Sequence, residues 1–198
     1  GCEGGVGAKC TDVSGTGGGV RGGCRRGEIL GDGYQGGRKC GLDGSGRGED
    51  GVRQGGGRGI LVETAEGRKH GDFDVMQKAM EQGFVADFCS TDLVLASMYR
   101  RSIFSLPNLM SRYIAMGIPM AEVVRMATQA PARLMGMEGV IGCLTPGARA
   151  DIAIFRLKEK AVPYRDVAGH RMTGRQVLVP QLTMKGGKIM YCQTDFMC

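Results

Sequence analysis

What is scarce in this chain narrows its class before any motif is considered. No apolar run approaches the roughly 18–20 residues that a membrane-spanning helix needs, and no targeting segment stands at the N-terminus, so a soluble, cytoplasmic protein is expected. The eight cysteines form no C-x-x-C pair, which removes the zinc-ribbon and thioredoxin motifs. Cys89 and Cys143 fall in apolar stretches that read as strands, where a free thiol packs as a small hydrophobe. Aromatic residues are sparse where they would matter most. Between Arg21 and Arg68, arginines are scattered among glycines and only Tyr34 is available to stack. A basic, glycine-rich nucleic-acid-binding tail interleaves stacking aromatics with its charge. The net charge of +6 is therefore read as a solvated surplus, and nucleic acid is not the expected partner. Histidine occurs twice, at His70 and His170.

Glycine, by contrast, is abundant and unevenly placed. It fills 24 of the first 60 positions and 12 of the remaining 138. A glycine offers no side chain to pack and loses more backbone entropy on folding than other residues. The first third should fold poorly by itself, while the rest has ordinary globular composition. Two islands interrupt the glycines: Arg26–Leu30, which could open a short strand, and Ile60–Thr64, a better one.

From Phe73 onward the periodicity is clear. Phe73–Gln82 reads as a helix with Val75, Ala79 and Met80 on its apolar side, closed by Gly83. Val85–Ser90 is a buried strand. Asn108–Met116 and Met120–Thr128 are helices, the second started by Pro119, and Pro131 opens a short helix at Ala132–Met135. Met110, Met116, Met120, Met126, Met135 and Met137 recur at helical spacings and are read as core. After Gly139 the pattern turns to strands at Ala150–Phe155, Gln176–Val179, Leu182–Lys185 and Lys188–Tyr191, with Gly186-Gly187 as a two-residue hairpin turn. Three segments follow: a glycine-rich portion at 1–59, a helical and strand-bearing portion at 60–138, and a small β unit at 139–198.

The stretch Phe88-Cys89-Ser90-Thr91-Asp92 is an apolar strand that ends in an acid. With the helix before it, it forms one step of an alternating α/β fold. In a (β/α)₈ barrel the catalytic groups sit at the C-terminal ends of the strands, which makes Asp92 the first candidate for a catalytic side chain. A complete barrel takes about 250 residues, so 198 residues can hold only part of one.

Several motifs carry a family resemblance. Gly142-Cys143-Leu144-Thr145-Pro146-Gly147-Ala148-Arg149-Ala150-Asp151-Ile152-Ala153-Ile154-Phe155 resembles the G-x-L-x-P-G-x-x-A-D-I-x-x-F signature that closes amidohydrolase-superfamily enzymes. Upstream, Thr128-Gln129-Ala130-Pro131-Ala132-Arg133 resembles their T-x-N-P-A-x segment. Downstream, Leu182–Ile189 resembles their final strand and hairpin. Phe73-Asp74-Val75 through Asp92, followed by Ser111-Arg112-Tyr113 and Gly117, is most similar to the dihydroorotase-like amidohydrolase/deacetylase group. The resemblance implies an α/β fold: the C-terminal part of a (β/α)₈ TIM barrel followed by part of a small β-sandwich domain.

It also implies an activity, metal-dependent hydrolysis of a C–N or ester bond in an N-acyl amino acid-type small molecule. Asp92 would bind the metal and act as general base, because the attacking water must lose a proton and the leaving nitrogen must gain one. The remaining ligand positions of the group align with Asp32 in Gly31-Asp32-Gly33 and with Glu66 in Ala65-Glu66-Gly67; a slipped alignment places His70 there instead. The implied cofactor is a divalent metal, zinc in the family, and the alternative is a chain that binds none. The group's strand-one His-x-His and bridging lysine have no match. Asp151, within the closing signature, is implied to be structural. An incomplete barrel exposes strand edges and apolar faces, so a homo-oligomer is expected. Two other classes stand beside the hydrolase: a non-catalytic remnant acting through protein association, and a glycine-rich basic nucleic-acid-binding protein.

Overall fold

A computed structural model describes residues 8–12, 29–30, 60–65, 71–95 and 105–196. The chain divides into two compact units, Gly1–Phe104 with Arg165–Met172, and Ser105–Tyr164 with Thr173–Cys198.

The first unit holds a four-stranded sheet in the order β2-β1-β3-β4, formed by β1 (Ala8–Asp12), β2 (Ile29–Leu30), β3 (Ile60–Ala65) and β4 (Phe88–Ser90). β3 and β4 run parallel, with Glu63 opposite Phe88 and Ala65 opposite Ser90, and helix α1 (Phe73–Glu81) connects them. This is the β-α-β step that the sequence around Asp92 calls for. The pairings of β1 with β2 and with β3 are antiparallel, unlike the neighbours in an all-parallel barrel. Both involve strands from the first third of the chain, β1 and β2 being short islands between glycine-rich stretches.

α1 is defined at both ends. Asp72 caps its start, with Oδ1 accepting the N–H groups of Asp74 at 2.9 Å and Val75 at 3.1 Å, two of the donors a helix start leaves without partners. At the other end Gly83 adopts φ +76°. Its N–H reaches Met80 O at 2.8 Å and that of Phe84 reaches Ala79 O at 2.9 Å, the paired closure of a Schellman turn. Phe73, Val75, Met76 and Ala79 are buried. Met76 thus takes the inward position, and Met80 is only half-buried.

The second unit begins with α2 (Leu106–Ala115), α3 (Met120–Ala127) and α4 (Gln129–Leu134). Ser105 caps α2 and Pro107 occupies its first turn, where a missing N–H does no harm. α4 starts at Gln129, so Pro131 lies in its first turn and not ahead of it. Tyr113 and Val123 are fully buried, and Leu109 and Met126 nearly so. Met110, Met116 and Met126 belong to this core, whereas Met120 and Met135 are exposed, 44% and 59%. They sit at the start of α3 and just past the end of α4, where helical spacing no longer decides which way a side chain faces.

A three-stranded sheet in the order β5-β6-β7 follows: β5 (Ile152–Arg165), β6 (Arg171–Lys185) and β7 (Lys188–Cys192). β5 and β6 are 14 and 15 residues long, far longer than their apolar segments. Their exposed outer halves carry charge, as at Lys158-Glu159-Lys160, and so lack a hydrophobic alternation that would announce a strand. The turn at Gly186-Gly187 joins β6 to β7, with Lys185 opposite Lys188. Cys143 lies in the bend before β5 and not in a strand. No helix among the described residues is long and apolar enough to cross a membrane.

Candidate active site

β4 is held against β3 by a two-way contact. The Asp87 N–H donates to Val62 O at 2.8 Å, and the Asp87 carboxylate accepts the Val62 N–H at 2.8 Å. Asp87 thereby sets the register in which Phe88 and Cys89 enter the core, each 6% exposed. Ser90 ends the strand, Thr91 is half-buried and Asp92 is exposed. Asp92 has φ +44° and is the one non-glycine residue with positive φ among those described. Asp and Asn are the non-glycine residues that enter this left-handed conformation most readily, so the turn after β4 is one that an aspartate suits. Among the described residues, the Asp92 carboxylate has no hydrogen-bonding or ionic partner. It is a hard oxygen donor standing just beyond a strand end, which suits it to a divalent cation. Asp32, Glu66 and His70 lie outside the described residues, so Asp92 is the sole member of the expected set whose position is given.

A second cluster was not visible in the sequence. Asp72, Asp166 and His170 place potential donor atoms within 4.8 Å of one another. His170 Nδ1 is 2.8 Å from Asp166 Oδ2 and 3.6 Å from Asp72 Oδ1, while Nε2 is 3.6 Å from Asp74 Oδ2. The hydrogen bond to Asp166 raises the His170 pKa above the ordinary imidazole value; desolvation opposes this, and the charges of Asp166, Asp74 and Asp72 add to it.

Two carboxylates and an imidazole are a plausible metal donor set, but the oxygens here are engaged. Asp72 Oδ1 caps α1. Asp166 Oδ1 accepts the Gly169 and His170 N–H groups at 2.7 and 2.8 Å, and its Oδ2 accepts that of Phe73 at 2.9 Å. A cation would have to displace the helix cap and the turn. The cluster therefore fits a hydrogen-bonded fastening better than a metal centre. Its sequence signal was faint: Asp166 and His170 stand four apart around Gly169, and Asp72 precedes a helix.

Asp151, in the closing signature, is structural. Its carboxylate accepts the Gly186 N–H at 2.7 Å and contacts Lys185 Nζ at 2.6 Å.

The profile described as the amidohydrolase family matches residues 47–190, more than half of the chain. The chain belongs to the amidohydrolase family. Among curated relatives, a deacetylase of Enterococcus faecalis is 24% identical over 132 residues, covering 67% of this chain and 36% of the relative. A deacetylase of Agrobacterium fabrum is 26% identical over 132 residues, covering 67% and 32%. The chain thus spans about a third of the length of either. Among solved structures, an adenine deaminase aligns with TM-score 0.72 and 24% identity over 77% of this chain and 41% of that one. A dihydroorotase aligns with TM-score 0.62 and 21% identity over 73% and 39%. These two likenesses show the fold alone. It is α/β and covers part of the architecture of those neighbours.

Proposed function

We propose that this chain is the C-terminal barrel portion of a metal-dependent hydrolase that cleaves a C–N or ester bond of an N-acyl amino acid-type substrate. Asp92 would act as general base and metal ligand. The observation that carries the reading is the placement of Asp92, an exposed carboxylate with no partner among the described residues, two residues past β4. Membership of the amidohydrolase family and the two deacetylase relatives support the reaction class.

In this reading the Asp92 carboxylate takes the proton of the attacking water at one oxygen and returns it to the leaving nitrogen. The buried Phe88 and Cys89 fix the strand from which it projects. Asp32 and Glu66, or His70 in the place of Glu66, complete the proposed ligand set. A divalent metal, zinc by the usage of the family, supplies Lewis acidity toward the substrate carbonyl. The protein is read as cytoplasmic. The sheet β5-β6-β7 is read as part of a small β-sandwich, since the exposed Ile189, Met190 and Tyr191 of β7 offer apolar surface to a second layer. The same exposure favours a second reading, a chain that works through association with another copy of itself.

The test is metal analysis of the purified protein together with hydrolysis of a panel of N-acetyl amino acids. Bound divalent metal and turnover that disappears in Asp92→Asn are expected. No metal and no turnover would sink the hydrolase reading and leave association, which sedimentation would then measure.

A further inference from the structure

The tip of the β5-β6 hairpin, Arg165–Met172, belongs to the same compact unit as α1 and not to the unit that holds the rest of its strands. Asp166 is at the centre of that contact. The Asp166 side chain is fully buried, and its carboxylate does two jobs. One oxygen closes its own turn by accepting the Gly169 and His170 N–H groups. The other accepts the N–H of Phe73, the first residue of α1. Asp72 caps the same helix start with its own carboxylate, and Asp74 lies in the first turn.

Three acids thus meet where the helix dipole favours negative charge, and the His170 ring stands among all three. The other charged side chain facing this turn, among the described residues, is Arg165, whose guanidinium flanks Gly169. Protonated, the ring gives Asp166 a charge-assisted hydrogen bond and offsets the repulsion among the carboxylates. Neutral, it leaves two buried carboxylates close together with no cation in contact with them among the described residues.

We propose that the 166–170 turn is a pH-operated clasp on the first turn of α1, closed while His170 is protonated among Asp72, Asp74 and Asp166 and loosened when it deprotonates. The sign follows from the folded-state shift. The His170 pKa is raised above 6.5, first by the Asp166 hydrogen bond. The stabilisation is therefore fully present below pH 6.5 and fades as pH rises through the folded value. Because α1 leads through Gly83 into β4, the clasp fixes the start of the segment that ends at Asp92. It stands independently of the hydrolase reading.

NMR titration of the two histidines, with amide exchange at Phe73 followed from pH 5.5 to 9 in the full chain and in His170→Gln, tests it. His170 should titrate above 6.5. Phe73 protection, corrected for intrinsic exchange, should fall about tenfold for each unit by which the His170 pKa exceeds that value. In His170→Gln the protection should start lower and stay flat. Titration of His170 at or below 6.5, or an equal decline in the variant, would overturn the clasp. If the variant does not fold, the wild-type titration alone decides.

Discussion

Asp151 and Gly186 lie 35 residues apart, yet the Gly186 N–H donates to Asp151 Oδ1 at 2.7 Å. Lys185 places its ammonium on the other oxygen of the same carboxylate. One acid at the entrance to β5 thereby holds the hairpin turn between β6 and β7. The Lys185 hydrogen bond, and next that of Gly186, hold the Asp151 carboxyl below its ordinary pKa.

Asp151→Ala should therefore lower the thermal midpoint at pH 7 more than Lys185→Gln does, because only the first change frees the turn amide. The ion pair is exposed and screened by water, so the lysine change alone should be small. A group with a depressed folded-state pKa stabilises above its unfolded value, 3.8 here, and loses that effect as pH falls through the folded one. The gap between wild type and Asp151→Ala should thus close in melts run at progressively lower pH below 3.8.

Ser111 ties α2 to β6. Its hydroxyl donates to Pro107 O at 2.6 Å and accepts the N–H of Leu178 at 2.9 Å. Ser111 is 1% exposed and Leu178 7%. Ser111→Ala leaves the Leu178 N–H buried without this acceptor, which should destabilise by about 1–3 kcal/mol. Urea denaturation gives the value, and a change within experimental error would show that water replaces the hydroxyl.

Two glycines are fixed by space. A Cβ on Gly174 would stand 2.7 Å from the Tyr164 ring and 3.1 Å from the Ala115 Cβ. One on Gly142, at φ +71°, would stand 2.6 Å from the backbone oxygen of Thr128. Gly174→Ala should cost about 1–3 kcal/mol as overpacking. Gly142→Ala should cost more, because a main-chain oxygen cannot rotate away and the left-handed conformation adds strain. Gly147→Ala meets nothing within 4 Å and should show the backbone effect alone. Denaturant midpoints of the three variants rank them.

Asp92 combines a backbone and a side-chain property, and two substitutions separate them. Asp92→Gly suits φ +44° and should leave the melting midpoint equal or higher. Asp92→Asn keeps the shape but removes the base. Both should reduce hydrolysis by about 10²–10⁴-fold, the usual contribution of a general base, without loss of fold by circular dichroism. Retained turnover in either variant would move the base elsewhere.

Local chemistry made a good part of this protein legible from its sequence. The apolar spacing of Val75 and Ala79, the glycine after α1, the prolines at helix starts and the Gly186-Gly187 turn each act within a few residues. Such short-range terms read the same way in a string as in a fold. The closing signature marked the family, and Asp92 could be placed past a strand because the helix and strand before it were both clear.

Other features depended on distance. The outer halves of β5 and β6 are strands because they pair with each other, a pattern their charged residues hide. The antiparallel pairing of β1 and β3 joins segments about fifty residues apart, and nothing local to either one names its partner. Asp166 meets Phe73 across 93 residues, and nothing near either position marks the other. Sequence alone determined the helices, the turns, the family and Asp92 as the candidate base. Only the tertiary structure decided that Asp72, Asp74, Asp166 and His170 share one site, because their energy lies in contacts that exist only once distant segments of the chain have come together.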